Sequence, residues 1–386
     1  MNILDPSRQL ICQLITGRVN PAGPKISAVL WQQLAPLAYR EGLAPLLYWT
    51  LNTQGWPVGM PEAVRQSLTA AYYASEAHNA LLFHELEVIL PRLREQGIPA
   101  VLVKGASLAP ALYPARGLRP MSDVDCLVSP DDTSRVVALL EALGYHEERH
   151  DQVPGMHDMS DYHVGLKGGP GGRVIFELHW GLVSSQQAWY AVPSEWFWQH
   201  TEPWQGDAAI RQLTPMAHLV YLSAHAMLQH GGSQLLLIWL YDVHLLAQAG
   251  GIDWDALVAE VSRLRWGGVV GSALRSAQAA FGTHLPQDLL PRLEQVADPT
   301  VDRLVTFKQR FSGVRLLYDW YSLLALRGWV RWRYLLGMVF PQPAYVRWRY
   351  QPRPSWLWPF YYPYRWTRMF AEAFLALRRG ILRAVK

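Results

Sequence analysis

Apolar and polar positions along the chain change their period repeatedly, and each change marks a different kind of element. Before residue 97 the apolar positions recur at steps of three and four, and the segments 26–39 and 61–96 are predicted helices. Pro61 suits a first helical turn, and Gly97 suits a C-terminal cap. At Val101, Leu102 and Val103 the pattern becomes a short apolar run that ends in Lys104-Gly105. Positions 106–112 return to helical spacing. An arginine-containing turn follows, and Ser122-Asp123-Val124-Asp125 opens a second apolar run, Cys126, Leu127 and Val128. Pro130-Asp131-Asp132 then starts a helix over 133–143, with acids in its first turn and Gly144 as its stop. Two further predicted strands, 162–167 and 173–180, flank Gly168-Gly169-Pro170-Gly171-Gly172. No helical pattern follows that glycine-rich loop directly, so it reads as a hairpin and not as a phosphate loop. The helical period resumes over 212–326, with Thr214-Pro215 opening one helix and 234–249 forming the next. The expected fold is α+β. A core with a small mixed sheet spans 98–200, between a helical region over 1–97 and another over 201–326, and a separate tail spans 327–386.

Composition narrows this picture without changing it. Half of the 386 residues are hydrophobic and 17% are charged, which describes a globular chain of two or three units. Two cysteines, Cys12 and Cys126, form neither a disulfide framework nor a zinc pattern and point to a reducing, cytoplasmic setting. The opening MNILDPSRQL has no basic region before an apolar stretch, so no signal peptide is expected. The longest apolar run near the middle, 235–241, is far too short to span a bilayer.

Charge separates the tail from everything before it. Residues 327–386 hold eleven arginines and one lysine against a single acid, Glu372, a net +11. The whole chain carries +4, which leaves −7 for the rest. Sixteen of the sixty tail residues are Trp, Tyr or Phe, interleaved with Arg in WVRWRY, VRWRYQPRP and WLWPFYYPYRW. That mixture suits a structural strap over the acidic body, stacking on nucleic acid, or peripheral contact with the inner membrane face. Pro341, Pro343, Pro352, Pro354, Pro359 and Pro363 divide it into short pieces, and 372–383 reads as an amphipathic helix with Phe374, Leu375, Leu377 and Ile381.

Candidate chemistry concentrates on 101–128. Side chains alternate along a strand, so Asp123 and Asp125 share one face. Two close carboxylates stay ionised together only beside a cation, and a small set of hard oxygen ligands suits Mg²⁺. A glycine turn at a helix N-terminus offers free backbone N–H groups to an anion, and Lys104 adds a point charge. Metal carboxylates facing a phosphate cradle point to phosphoryl or nucleotidyl transfer.

These residues carry a resemblance. Lys104-Gly105 followed by Asp123-Val124-Asp125 resembles the signature of the DNA polymerase β-type nucleotidyltransferase superfamily. The fuller string, KGASLAPALYP with GLRPMSDVDCLV and the later Glu177-Leu178-His179-Trp180, is similar to a bacterial branch known simply as the nucleotidyltransferase family. The resemblance covers residues 99–249 well. It departs from the superfamily at Lys104-Gly105, where Gly-Gly or Gly-Ser is usual, and Lys-Gly resembles the abortive-infection toxin branch. What it implies is a nucleotidyltransferase-type sheet and transfer of a nucleoside monophosphate from an NTP such as ATP, with two Mg²⁺ ions, or Mn²⁺ in their place. Asp123, Asp125 and Glu177 would be the metal-binding and catalytic carboxylates. Lys104, Gly105, Ala106, Ser107, Arg119, Ser122 and His179 would contact the nucleotide, Arg119 and Ser122 by steering the triphosphate or bonding Asp125. The acceptor stays open among protein, RNA and small molecule. A toxin-like enzyme acting on RNA ends and a non-enzymatic scaffold tethered through the tail are the competing readings.

Other chemistry-bearing residues have bland alternatives. His150-Asp151, His157-Asp158 and Asp161-Tyr162-His163 match no strong metal template and read as a solvated loop beside the site. His218 and His225 lie seven apart, on one face of a predicted helix, as cleft-lining or as core histidines. Asp242, in the apolar stretch IWLYDVHLLA, needs a partner, either an arginine or a substrate group.

Overall fold

The computed structural model describes residues 5–19, 26–147, 162–183, 192–230, 235–303 and 328–384, with the single positions 306, 323 and 326. Four helices lead: α1 (Pro6–Ile15), α2 (Ala28–Arg40), α3 (Ala44–Gln54) and the 34-residue α4 (Glu62–Glu95). Gly97, at φ +66°, turns the chain out of α4 as the sequence predicts, because this left-handed conformation carries little penalty for glycine. The core then runs β1 (Ala100–Leu102), α5 (Gly105–Leu112), β2 (Val124–Leu127), α6 (Thr133–Ala142), β3 (His146–Glu147), β4 (His163–Gly168) and β5 (Val174–His179). The expected hairpin is present as the antiparallel pair β4–β5. After α7 (Ser194–Gln199), two strands follow that the sequence reading passed over, β6 (Thr201–Trp204) and β7 (Asp207–Leu213). The region over 201–326 therefore opens with a hairpin before its helices begin: α8 (Pro215–Ala224), α9 (Leu237–Ala249), α10 (Trp254–Arg263), α11 (Gly267–Phe281) and α12 (Leu289–Gln295). The tail folds into α13 (Gly328–Val339), α14 (Pro343–Tyr350) and α15 (Tyr361–Ala384).

The seven strands form one mixed sheet in the order β3-β4-β5-β2-β1-β7-β6, parallel at β5/β2 and β1/β7 and antiparallel elsewhere. Alternation sends its side chains into two separate cores. Ala100, Leu102, Val124, Cys126 and Val128 pack against α6 and the second half of α4. Val101, Val103 and Leu127 face the other core, built from α1–α3 and α8–α12. Asp125 shares the face of Leu127, so the sheet delivers this carboxylate beneath the C-terminal helices. Among the described residues, neither core includes one beyond Val301. Both cysteines are buried free thiols.

Candidate functional site

Two parallel strands separated in sequence build the centre. The register of β2 against β5 sets Asp125 opposite Glu177, and Leu127 opposite His179. One ligand atom from each of Asp125, Glu177 and His179 falls within 4.8 Å of the others. The His179 Nε2–H donates to Asp125 Oδ1 at 3.0 Å, and the same nitrogen lies 3.6 Å from Glu177 Oε2. Lys104 Nζ approaches the same Asp125 oxygen at 2.8 Å. Burial pushes the Asp125 carboxyl up, but Lys104 and His179 reverse this and hold it well below the usual carboxylate range. Burial also opposes the charge on Lys104 and on His179, and their acidic partners outweigh it, so both are raised. Burial pushes the Glu177 carboxyl up, but its bond to His179 together with the charges of His163 and Lys104 outweighs this, so Glu177 is lowered.

Asp123 lies one residue before β2, half-buried. Burial, then the charges of Asp125 and Glu177, push its carboxyl up to about 7. One ammonium therefore does not balance three carboxylates, and a further cation would relieve the repulsion. On that ground Asp125, Glu177 and His179, the group whose ligand atoms converge, could hold a metal ion, and Asp123 is not part of that group. His179, already donating to Asp125, reads more readily as the group that orients a ligand than as a ligand itself.

The turn between β1 and α5 has unusual geometry. Lys104 holds φ +50° and ψ −131°, a conformation that disfavours any residue with a Cβ. Its N–H donates to His218 Nε2 at 3.1 Å, while its side chain reaches Asp125. Gly105 lacks room for a side chain: a Cβ there would meet Met121 Cγ and Sδ at 2.6 Å. Ser107 is buried, and its hydroxyl donates to Gln212 Oε1 at 3.0 Å. Ala106 is buried behind it in the core of the opposite face, and Ser122 is exposed.

Arg119 turns away from Asp125. Its guanidinium is buried and donates to Asp242, with Nη2 to Oδ2 at 2.8 Å, while Nη1 donates to the Pro120 carbonyl. Tyr113 OH donates to Asp242 Oδ1 at 2.6 Å. The partner that Asp242 required is thus an arginine and a tyrosine.

Several positioning residues escaped the sequence reading. Asn79, fully buried on α4, donates to the carbonyls of Arg116 and Arg119 and accepts from the Met121 N–H; Glu76 accepts from the Gly117 N–H. An asparagine facing the apolar side of a long helix is the signal that would have exposed this clamp. His218 is a core histidine that also touches the Lys104 turn, and His225 is buried with Nδ1 at 2.8 Å from Gln229 Oε1. Of the loop cluster, His150, Asp151, His157, Asp158 and Asp161 lie outside the described residues. Tyr162 and His163 belong to the site, His163 stacking on His179 with ring centroids 5.0 Å apart.

Such an arrangement could hold a metal ion. Among comparisons with known proteins, the family model described as an uncharacterised nucleotidyltransferase matches residues 27–282. No curated protein and no solved structure matches the chain.

Proposed function

The chain belongs to the uncharacterised nucleotidyltransferase family, and from that premise we propose that it transfers a nucleoside monophosphate from an NTP, such as ATP, to an acceptor hydroxyl, releasing pyrophosphate. One observation carries the reading: Asp125 and Glu177 stand in register on adjacent parallel strands, joined by His179, in a cluster that can hold a metal. Asp123, Asp125 and Glu177 are the proposed ligand set. Held by those residues, Mg²⁺ or Mn²⁺ would supply stabilisation of the charge that develops on the transferred phosphorus. Lys104 supplies a fixed positive charge on the same side, and the first N–H groups of α5, at Gly105 and Ala106, suit an anion. In the transfer the acceptor oxygen bonds to the α-phosphorus, the bond to the β-phosphate oxygen breaks, and the acceptor proton passes to a base. As the alternative to completing the metal site, Glu177, lowered and partly accessible, suits that role. The Arg119–Asp242 pair holds the loop before Asp123 rather than the nucleotide.

Calorimetry with non-hydrolysable analogues of each NTP, with and without Mg²⁺, tests this on wild type and Asp125→Asn. Metal-dependent binding that the variant loses is the expected result. No binding to folded wild type would remove the nucleotide site and favour a scaffold.

A further inference from the structure

The outward face of α13 is apolar. Trp329, Trp332, Leu336 and Phe340 follow one another at steps of three, four and four, which keeps them on one side of the helix and its end, and they are between 53% and 67% exposed. Gly337 and Met338 are the buried residues of the same helix. A surface helix in water shows the opposite segregation.

α15 also exposes large apolar side chains. Phe370 and Phe374 lie four residues apart and are 76% and 69% exposed. The two helices are stitched where their apolar stripes meet. Phe340 packs edge-on to Trp366 with centroids 5.5 Å apart, Trp366 Nε1 donates to the Val339 carbonyl at 2.8 Å, and Arg365 Nε donates to the Met338 carbonyl at 3.1 Å. Trp366 precedes Phe370 by one helical turn, so a stripe runs from Trp329 through Phe340 and Trp366 to Phe374. At 1.5 Å per residue, its two limbs extend about 16 Å along α13 and about 12 Å along α15. Trp348, Trp356 and Phe360, on the segments between them, are exposed as well.

We propose that the exposed apolar residues between Trp329 and Leu375 form a docking surface that lies flat on an anionic lipid bilayer. Two properties select this occupant. The sequence from 327 onward carries a net +11, which complements acidic headgroups and repels a second copy of the same surface. The stripe also includes Leu336, and Leu375 is exposed beside it; neither has a π-face on which a base could stack, whereas Trp, Phe and Leu flanked by Arg suit the headgroup–acyl boundary. No helix among the described residues is long and apolar enough to cross a membrane, so the contact is with the surface. The surface lies outside the family match, which ends at residue 282, and does not depend on the nucleotide reading.

The test is co-sedimentation of the full chain with vesicles of phosphatidylcholine alone or mixed with phosphatidylglycerol, at about 0.1 M and about 0.5 M salt. Wild type is expected to sediment with the anionic vesicles, less so at high salt, and to stay in solution with phosphatidylcholine. Trp332→Ser/Leu336→Ser and, separately, Phe370→Ser/Phe374→Ser should each weaken binding about tenfold or more, with thermal melting unchanged. The two pairs are independent, so a folding defect in one leaves the other decisive. Absence of binding to anionic vesicles, or wild-type binding by both variants, overturns the proposal. So does binding of single-stranded RNA without vesicle binding, or a dimer that both variants dissociate.

Discussion

Lys104 places its ammonium 2.8 Å from Asp125 Oδ1 from a backbone that a side-chain-bearing residue rarely adopts, φ +50° and ψ −131°. Glycine would tolerate this backbone conformation. Lysine is retained at a conformational cost of roughly 1–3 kcal/mol, and its ammonium supplies a cation to a cluster of acids.

Replacing that ammonium should make stability depend on metal. Lys104→Met leaves Asp125 buried beside Glu177 with only His179 as its partner, a loss of up to roughly 3–5 kcal/mol for a broken buried pair. In chelator the variant should melt below wild type, and Mg²⁺ or Mn²⁺ should raise its melting temperature more than that of wild type. Lys104→Gly removes the same charge but relieves the backbone, so it should melt above Lys104→Met. Equal melting of Lys104→Met and wild type in chelator would deny the ammonium this role.

Three buried histidines should each contribute a loss of stability as the solution is acidified from pH 6.5, opposed by His179 and Asp123, whose raised pKa values act with the opposite sign. His218 accepts the Lys104 N–H, which requires a neutral ring; burial, then the nearby Arg119 charge, lower its pKa to about 3. Burial likewise lowers His244 to about 4 and takes His225 well below its ordinary value. Each folded pKa lies below the unfolded one, so the unfolded chain takes up protons first. The contribution is complete above the unfolded pKa near 6.5 and is lost as pH falls toward the folded value. For His218 the slope approaches about 1.4 kcal/mol per pH unit at most. Urea titrations at pH 7, 6 and 5.5 would read it, and His218→Gln should flatten the dependence by about one proton. An unchanged slope would mean that His218 is charged in the native state.

The sequence made the β1–α5–β2 unit, Gly97, Gly144 and the β4–β5 hairpin legible because turn chemistry and apolar period are local. β6 and β7 were passed over because Pro203, Arg211 and Gln212 interrupt their alternation. The signal that remained was the turn Gln205-Gly206, at φ +50° and +83°, a pair of positive φ values that suits a tight hairpin. In the site, Asp125 and the later Glu177 could be picked out singly, but their pairing depends on a parallel register between distant strands. The partner of Arg119 is hidden in the sequence for the same reason. Its partner Asp242 lies 123 residues further on, and only the packing of α9 over the loop brings the two together.

That pair gives a further prediction about how the loop before Asp123 is held. Arg119 and Asp242 are both buried, and Tyr113 OH completes the shell around Asp242 Oδ1. Burying two charges is costly, and the pair offsets that cost only while both members are present. Asp242→Leu alone should cost roughly 3–5 kcal/mol, because the Arg119 guanidinium stays buried with Tyr113 and the Pro120 carbonyl but without a counter-charge. Arg119→Leu/Asp242→Leu should recover much of this, since apolar replacement of both members is often neutral. Chemical denaturation across the four-protein cycle measures the coupling, expected at roughly 0.5–3 kcal/mol or above. Strictly additive costs would show that the two side chains do not depend on each other. If the coupling is present, the double variant should fold yet bind nucleotide more weakly than wild type. Stability would then have been restored by apolar packing without restoring the hydrogen bonds that fix the approach to Asp123.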